Sequence, residues 1–128
     1  MVKSAALLFG VVFLLVGILG FVPAATPVHE GMPMLLGIFH VNTVHNLIHL
    51  ASGIVFLLCG MAGAGASRAF FKIFGLVYAL VAVLGFMNPA GPLLGMVANN
   101  PANNWLHTGL AVAMLYLGFV AGRGTSAA

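Results

Sequence analysis

The sequence predicts an all-α fold: a four-helix transmembrane bundle made of two parallel helical-hairpin repeats, with both termini on the cytoplasmic side. Three observations carry this. The 128-residue chain is 62% hydrophobic and 4% charged, whereas about a quarter of the residues in soluble domains are charged. Four segments, about 4–21, 43–62, 68–87 and 103–121, approach the roughly 20 apolar residues that a helix needs to cross the hydrocarbon. Finally, a polar stripe is written twice, Asn42, His45, Asn46, His49 and then Asn100, Asn103, Asn104, His107, with every position displaced by 58.

The first span, 4–21, follows Lys3. Lys3, the apolar run and Val22-Pro23-Ala24 also resemble a signal peptide with its small-residue cleavage site. Its length, and the recurrence of Gly10 and Leu19-Gly20-Phe21 as Gly75 and Leu84-Gly85-Phe86, displaced by 65, identify it instead as the first helix of a repeat. The outward loop at 22–42 carries an apolar stretch, 32–39, too short to cross and suited to the interface or to a re-entrant dip that roofs the bundle. The second span, 43–62, holds the first stripe and a lone Cys59, which has no disulfide partner in the chain and reads as a small packing residue. The third span, 68–87, opens on Arg68 and Lys72, and the loop at 88–102 repeats the apolar stretch at 92–98. The fourth, 103–121, holds the second stripe, with Trp105 and Tyr116 placed as interfacial anchors and Trp105 close enough to His107 to wall a ligand.

Lys3, Arg68, Lys72 and Arg123 all fall at one end of this arrangement, and the only acid, Glu30, falls in the opposite loop. The positive-inside rule makes both termini cytoplasmic. Each repeat crosses the membrane twice, so both repeats enter in the same direction and are related by a pseudo-two-fold axis along the membrane normal. The second and fourth helices then lie diagonally, with His49 and His107 at one depth. That depth is about 10 Å below Asn42, at 1.5 Å per residue. Four scattered basic residues make no nucleic-acid patch. Glycines are abundant, 17 in all, and Gly10 with Gly17, Gly53 with Gly60 and Gly109 with Gly118 are spaced for close helix approach.

The spacing i, i+3, i+4, i+7 puts each stripe on one helix face. Ionisable residues inside a span face the bundle interior and mark candidate sites. Three chemistries suit these residue types. His49 and His107 are placed to give the two axial nitrogens of a haem, with Gly53 and Gly109 leaving space for a flat ring, or to hold two chlorophyll-type pigments, one histidine each. His45 and His49, one turn apart, together with His107 form a three-imidazole set for Zn or Cu, which His40 or His29 would complete or gate. Lastly, Asn42, Asn46, Asn100, Asn103 and Asn104 with the histidines can knit the helices by hydrogen bonds and bind nothing. Catalysis has little support, because Glu30 is the only carboxylate residue and no nucleophile and base surround it. Nor do these short spans offer the broken helices of a transporter.

The strings Asn42-Thr43-Val44-His45-Asn46-Leu47-Ile48-His49-Leu50 and Asn103-Asn104-Trp105-Leu106-His107 resemble the N-x-x-H-N-x-x-H-L and D-N-x-L-H signatures of a bacterial family of small four-helix membrane proteins of unknown function. The resemblance covers nearly the whole chain and implies a fold and a bacterial inner-membrane location, not an activity. This chain has Asn103 where the family tends to carry aspartate, which argues against a carboxylate-bearing metal site or proton relay. The expected partners are the lipid bilayer and either other membrane subunits or further copies of the chain.

Overall fold

The computed structural model describes residues 1–29, 32–89 and 91–121. It contains four helices, α1 (Val2–Leu19), α2 (Thr43–Ala62), α3 (Ala64–Met87) and α4 (Pro101–Phe119). Glu30 and Arg123 lie outside the described residues, as does the side chain of His29. Three helices, α1, α2 and α3, are long and apolar enough to cross a membrane. The fourth expected span is not among them. α4 has the length, but Asn103, Asn104 and His107 fill its first turns and lower its hydropathy.

The ends of α2 agree with the sequence reading, and the other helices shift for local reasons. α1 begins and ends two residues earlier than expected, closing at Gly20 ahead of the Pro23–Ala25 turn. α3 starts at Ala64 rather than 68, because the single residue Gly63, at φ 128°, makes the whole reversal from α2. That backbone region suits glycine. The Ser67 hydroxyl tightens the turn by donating to the carbonyls of Gly63 and Cys59 at 2.8 and 3.1 Å. α4 starts two residues early, with Pro101 in its first turn, where the missing N–H costs nothing.

The loop between α1 and α2 corrects the all-α expectation. It folds into a three-stranded antiparallel sheet, β1 (Val28–His29), β2 (Met32–Leu35) and β3 (Phe39–His40), in the order β1-β2-β3. Val28 faces Pro33 and Leu35 faces Phe39. The short apolar stretch thus pairs part of its backbone with itself. The second loop keeps a remnant of the same turn, a single bridge between Leu93 and Val97.

The helices pack as two pairs, α1 on α2 and α3 on α4, joined by lesser α2–α3 and α1–α3 contacts. Glycines let the paired helices approach, and the contacts repeat. A Cβ on Gly10 would meet Leu57 and one on Gly75 would meet Leu115, pairs related by the 65 and 58 displacements. Gly60 receives Leu7, and Gly118 receives the stem of Lys72. Gly109 is an exception to the sequence reading: it is exposed, and nothing lies within 4 Å of where its Cβ would be. Between the pairs lies an aromatic layer in which Phe56 and Phe71 are fully buried and contact Phe9, Phe13, Phe70 and Phe74. The Arg68 guanidinium donates to the Ala121 carbonyl at 2.6 Å, fastening the end of α4 to the beginning of α3.

Candidate functional site: a histidine-lined pair of cavities

The stripes begin at helix N-caps. The Asn42 side-chain carbonyl accepts the His45 N–H at 2.8 Å, and the Asn100 side-chain carbonyl accepts the Asn103 N–H at 2.8 Å. Each cap satisfies one of the donors that a helix start leaves free. Their amide nitrogens then cross between the halves, Asn42 Nδ2 to the Met96 carbonyl at 2.9 Å and Asn100 Nδ2 to the Ile38 carbonyl at 3.0 Å. Positions 38 and 96 are themselves 58 apart, so the two bonds form a reciprocal clasp between one half's helix cap and the other half's turn.

One turn deeper the copies diverge. Asn103 Nδ2 donates to the His40 carbonyl at 2.8 Å and makes a longer bond to the Ala98 carbonyl at 3.4 Å. His45, its counterpart, has an unpaired Nδ1. The next pair is alike again. Asn46 packs where a Cβ on Gly20 would stand and Asn104 where one on Gly85 would, and Asn104 Nδ2 donates to the Gly85 carbonyl at 3.0 Å.

His49 stacks on Phe13 of α1, with ring centroids 4.9 Å apart, and His107 meets Tyr78 of α3 edge-on at 5.4 Å. Phe13 and Tyr78 are also equivalent positions, 65 apart, and lie 6.0 Å from each other. His45 sits 4.5 Å from His49. His45, His49 and His107 are all buried, and the Nδ1 atom of each has no partner. Leaving such a group unpaired costs about 1–3 kcal/mol.

The three imidazoles border two cavities. The smaller, about 120 Å³, is walled by Val16, Leu35, Leu36, Phe39, Asn103, Leu106 and Leu110. The larger, about 230 Å³, is walled by Ile48, Phe74, Val77, Tyr78, Val81, Leu84, Leu93, Leu94 and Val97. Most walls of one are the equivalents of walls of the other: Leu35, Leu36 and Phe39 correspond to Leu93, Leu94 and Val97, Leu106 to Ile48, and Val16 to Val81. The loop stretches therefore roof the histidines. At each roof a leucine takes a left-handed backbone, Leu36 at φ 54° and Leu94 at φ 52°, followed by Gly37 and Gly95, both at φ 73°. An L-residue pays about 1–2 kcal/mol for that conformation.

The structure brings His45, His49, His107 and Asn103 together. Gly53 is elsewhere, packed against Leu14 of α1, and gives no room for a macrocycle. Trp105 is exposed and set edge-on to Phe86, and it lines neither cavity. Among the described residues no three His, Cys, Asp or Glu side chains converge as a metal site. His45 and His49 enter from one turn of α2 and His107 from α4, and all three border the same cavities without forming such a group. His40 Nδ1 is paired with the Asn99 carbonyl at 3.3 Å. The sequence reading placed the roof in the stretches 32–39 and 92–98, where Leu35, Leu36, Phe39, Leu93, Leu94 and Val97 lie, but missed Phe13 and Tyr78. The 65-residue displacement held the clue, since Tyr78 is the one polar side chain standing where the first copy has a phenylalanine next to its histidine.

No curated protein and no solved structure matches the chain. Residues 3–120 match a family described as a domain of unknown function, DUF4383, and the chain belongs to that family.

Proposed function

We propose that this chain is a non-catalytic, multi-pass protein of the bacterial inner membrane, an accessory subunit that holds a small, neutral, lipid-soluble molecule against His45, His49 and His107. The observation that carries this reading is the set of three buried, unpaired imidazole Nδ1 atoms around cavities with apolar walls. Unpaired buried groups are costly, and a ligand or ordered water that pairs them recovers the cost. The orientation follows from charge: Lys3, Arg68 and Lys72 lie on the cytoplasmic side and the clasped loops on the other. α4 completes four crossings, because its stripe turns inward and a polar face is admitted to the bilayer when the bundle covers it.

The test uses p-cresol, a neutral ring with one hydroxyl, titrated into the detergent-solubilised protein labelled with ¹⁵N at histidine. Saturable shifts at His45, His49 and His107, with His40 unmoved, are expected. Absence of any shift at these three residues overturns the reading.

A second reading is a tetrapyrrole held between His49 and His107, and it is favoured by the two rings bordering the same cavities. Each cavity is below the roughly 300–1,000 Å³ of drug-sized ligand sites, so a macrocycle requires α2 and α4 to separate. A Soret band in the purified protein, lost in His107→Ala, would establish this reading in place of the first.

A further inference from the structure

We infer that the larger cavity seats the ring of an isoprenoid quinone whose tail lies among the lipids, an inference that rests on the reading of the cavity as a small-molecule site. Size sets the first constraint. A cavity of about 150 Å³ accepts benzene, and this one, at about 230 Å³, has room for a six-membered ring with substituents. Its smaller counterpart, at about 120 Å³, is smaller than that benzene-binding cavity, and Phe39 stands there where the larger one has Val97. One ring per chain is the consequence.

The polar groups set the second constraint. His45 and His49 enter from α2 and His107 from α4, each more than nine-tenths buried, at 7, 6 and 5% exposure, and each with an unpaired Nδ1. A neutral imidazole has one donor and one acceptor. A para-quinone carries an acceptor oxygen at each end of a flat ring, so imidazoles from two helices can both donate to one molecule. No wall residue is charged, which suits a neutral ring. Val81, Leu84 and Leu94 offer apolar surface to its faces.

The mouth sets the third constraint. Ile48 and Val77 line the cavity and are also 41 and 43% exposed on the outer surface of α2 and α3. Both side chains are apolar, so a ring entering between them would leave its prenyl tail in the bilayer. A water-soluble ligand gains nothing from such an entrance.

The full chain in lipid nanodiscs is titrated with decylubiquinone and, separately, with decylbenzene, which has the ring and tail but no carbonyls. Expected are saturable binding of one decylubiquinone per chain, a quinone carbonyl stretch moved to lower frequency by hydrogen bonding, and decylbenzene at least about tenfold weaker, the loss that follows from missing hydrogen bonds. His107→Leu should weaken decylubiquinone by about tenfold and leave decylbenzene unchanged. Equal binding of the two compounds, or an unmoved carbonyl band in the unaltered protein, overturns the inference whether or not the variant folds. If p-cresol still moves the three histidines in that case, the small-molecule reading survives and the quinone alone is rejected. If p-cresol also fails, both fall.

Discussion

The two halves of this molecule share a scaffold and differ in what they place on it. In both, a glycine-bearing helix accepts a leucine from its partner, an asparagine caps the stripe-bearing helix and clasps the opposite loop, and a leucine-glycine turn roofs a cavity. Several differences lie on buried facing surfaces. The first half has Phe13, Phe39, His45 and Phe56 where the second has Tyr78, Val97, Asn103 and Met114. Around the cavities Val16, Leu35, Leu36 and His49 recur as Val81, Leu93, Leu94 and His107, whereas Phe39 is replaced by Val97. A single exchange of wall volume is enough to make two near-equivalent cavities unequal.

The largest test of that contrast is in the aromatic layer. Phe56→Ala should cost about 3–5 kcal/mol, since its ring touches Phe9, Phe13, Phe70, Phe71 and Phe74, whereas Met114→Ala, also fully buried, should cost about 2–3 kcal/mol. Unfolding in mixed micelles on titration with SDS measures both. Equal losses would mean that the two halves contribute alike to the layer.

Next come the counterparts His45 and Asn103. Asn103→Leu removes a donor to the His40 and Ala98 carbonyls and should destabilise by about 1–3 kcal/mol. His45→Leu removes a ring whose Nδ1 is unpaired, and its stability should stay within about 0.5 kcal/mol of the parent. The same SDS titration reads both. A large loss for His45→Leu would show that this histidine serves folding rather than the cavity.

The smallest effect belongs to the roofs. Asparagine tolerates the left-handed backbone better than leucine, so Leu36→Asn and Leu94→Asn should each stabilise the turn by up to about 1 kcal/mol. Leu94→Asn also removes a wall of the larger cavity, and should weaken decylubiquinone more than Leu36→Asn does. Thermal denaturation and quinone titration separate the two effects. If neither variant stabilises, the leucines are held in place by contacts stronger than the backbone strain.

Much of this was legible in the residues and some of it was not. The stripe's spacing placed His45, His49 and Asn46 on one face, and the two displacements identified which positions would correspond. The clasp was invisible, because Asn42 and Met96 are far apart in sequence and a main-chain acceptor leaves no trace in side-chain identity. Gly53 was read as space beside the histidines, yet helix periodicity does not say which neighbour a glycine receives, and here it receives Leu14. The sheet in the first loop was read as an interfacial stretch, since strand pairing depends on partners brought together by the fold.

By itself the sequence determined composition, helix periodicity and internal repetition, and with them the helical, membrane-directed character of the chain and the pairing of equivalent residues. These are local or additive properties, set by hydropathy and by 3.6-residue geometry. Tertiary structure alone decided that the histidines border two unequal cavities, that Phe39 stands at one where Val97 stands at the other, and that Asn103 Nδ2 finds carbonyl partners while His45 Nδ1 finds none. Such outcomes depend on how side chains distant in sequence share volume and hydrogen-bond partners, and the shared volume exists only once the helices are packed.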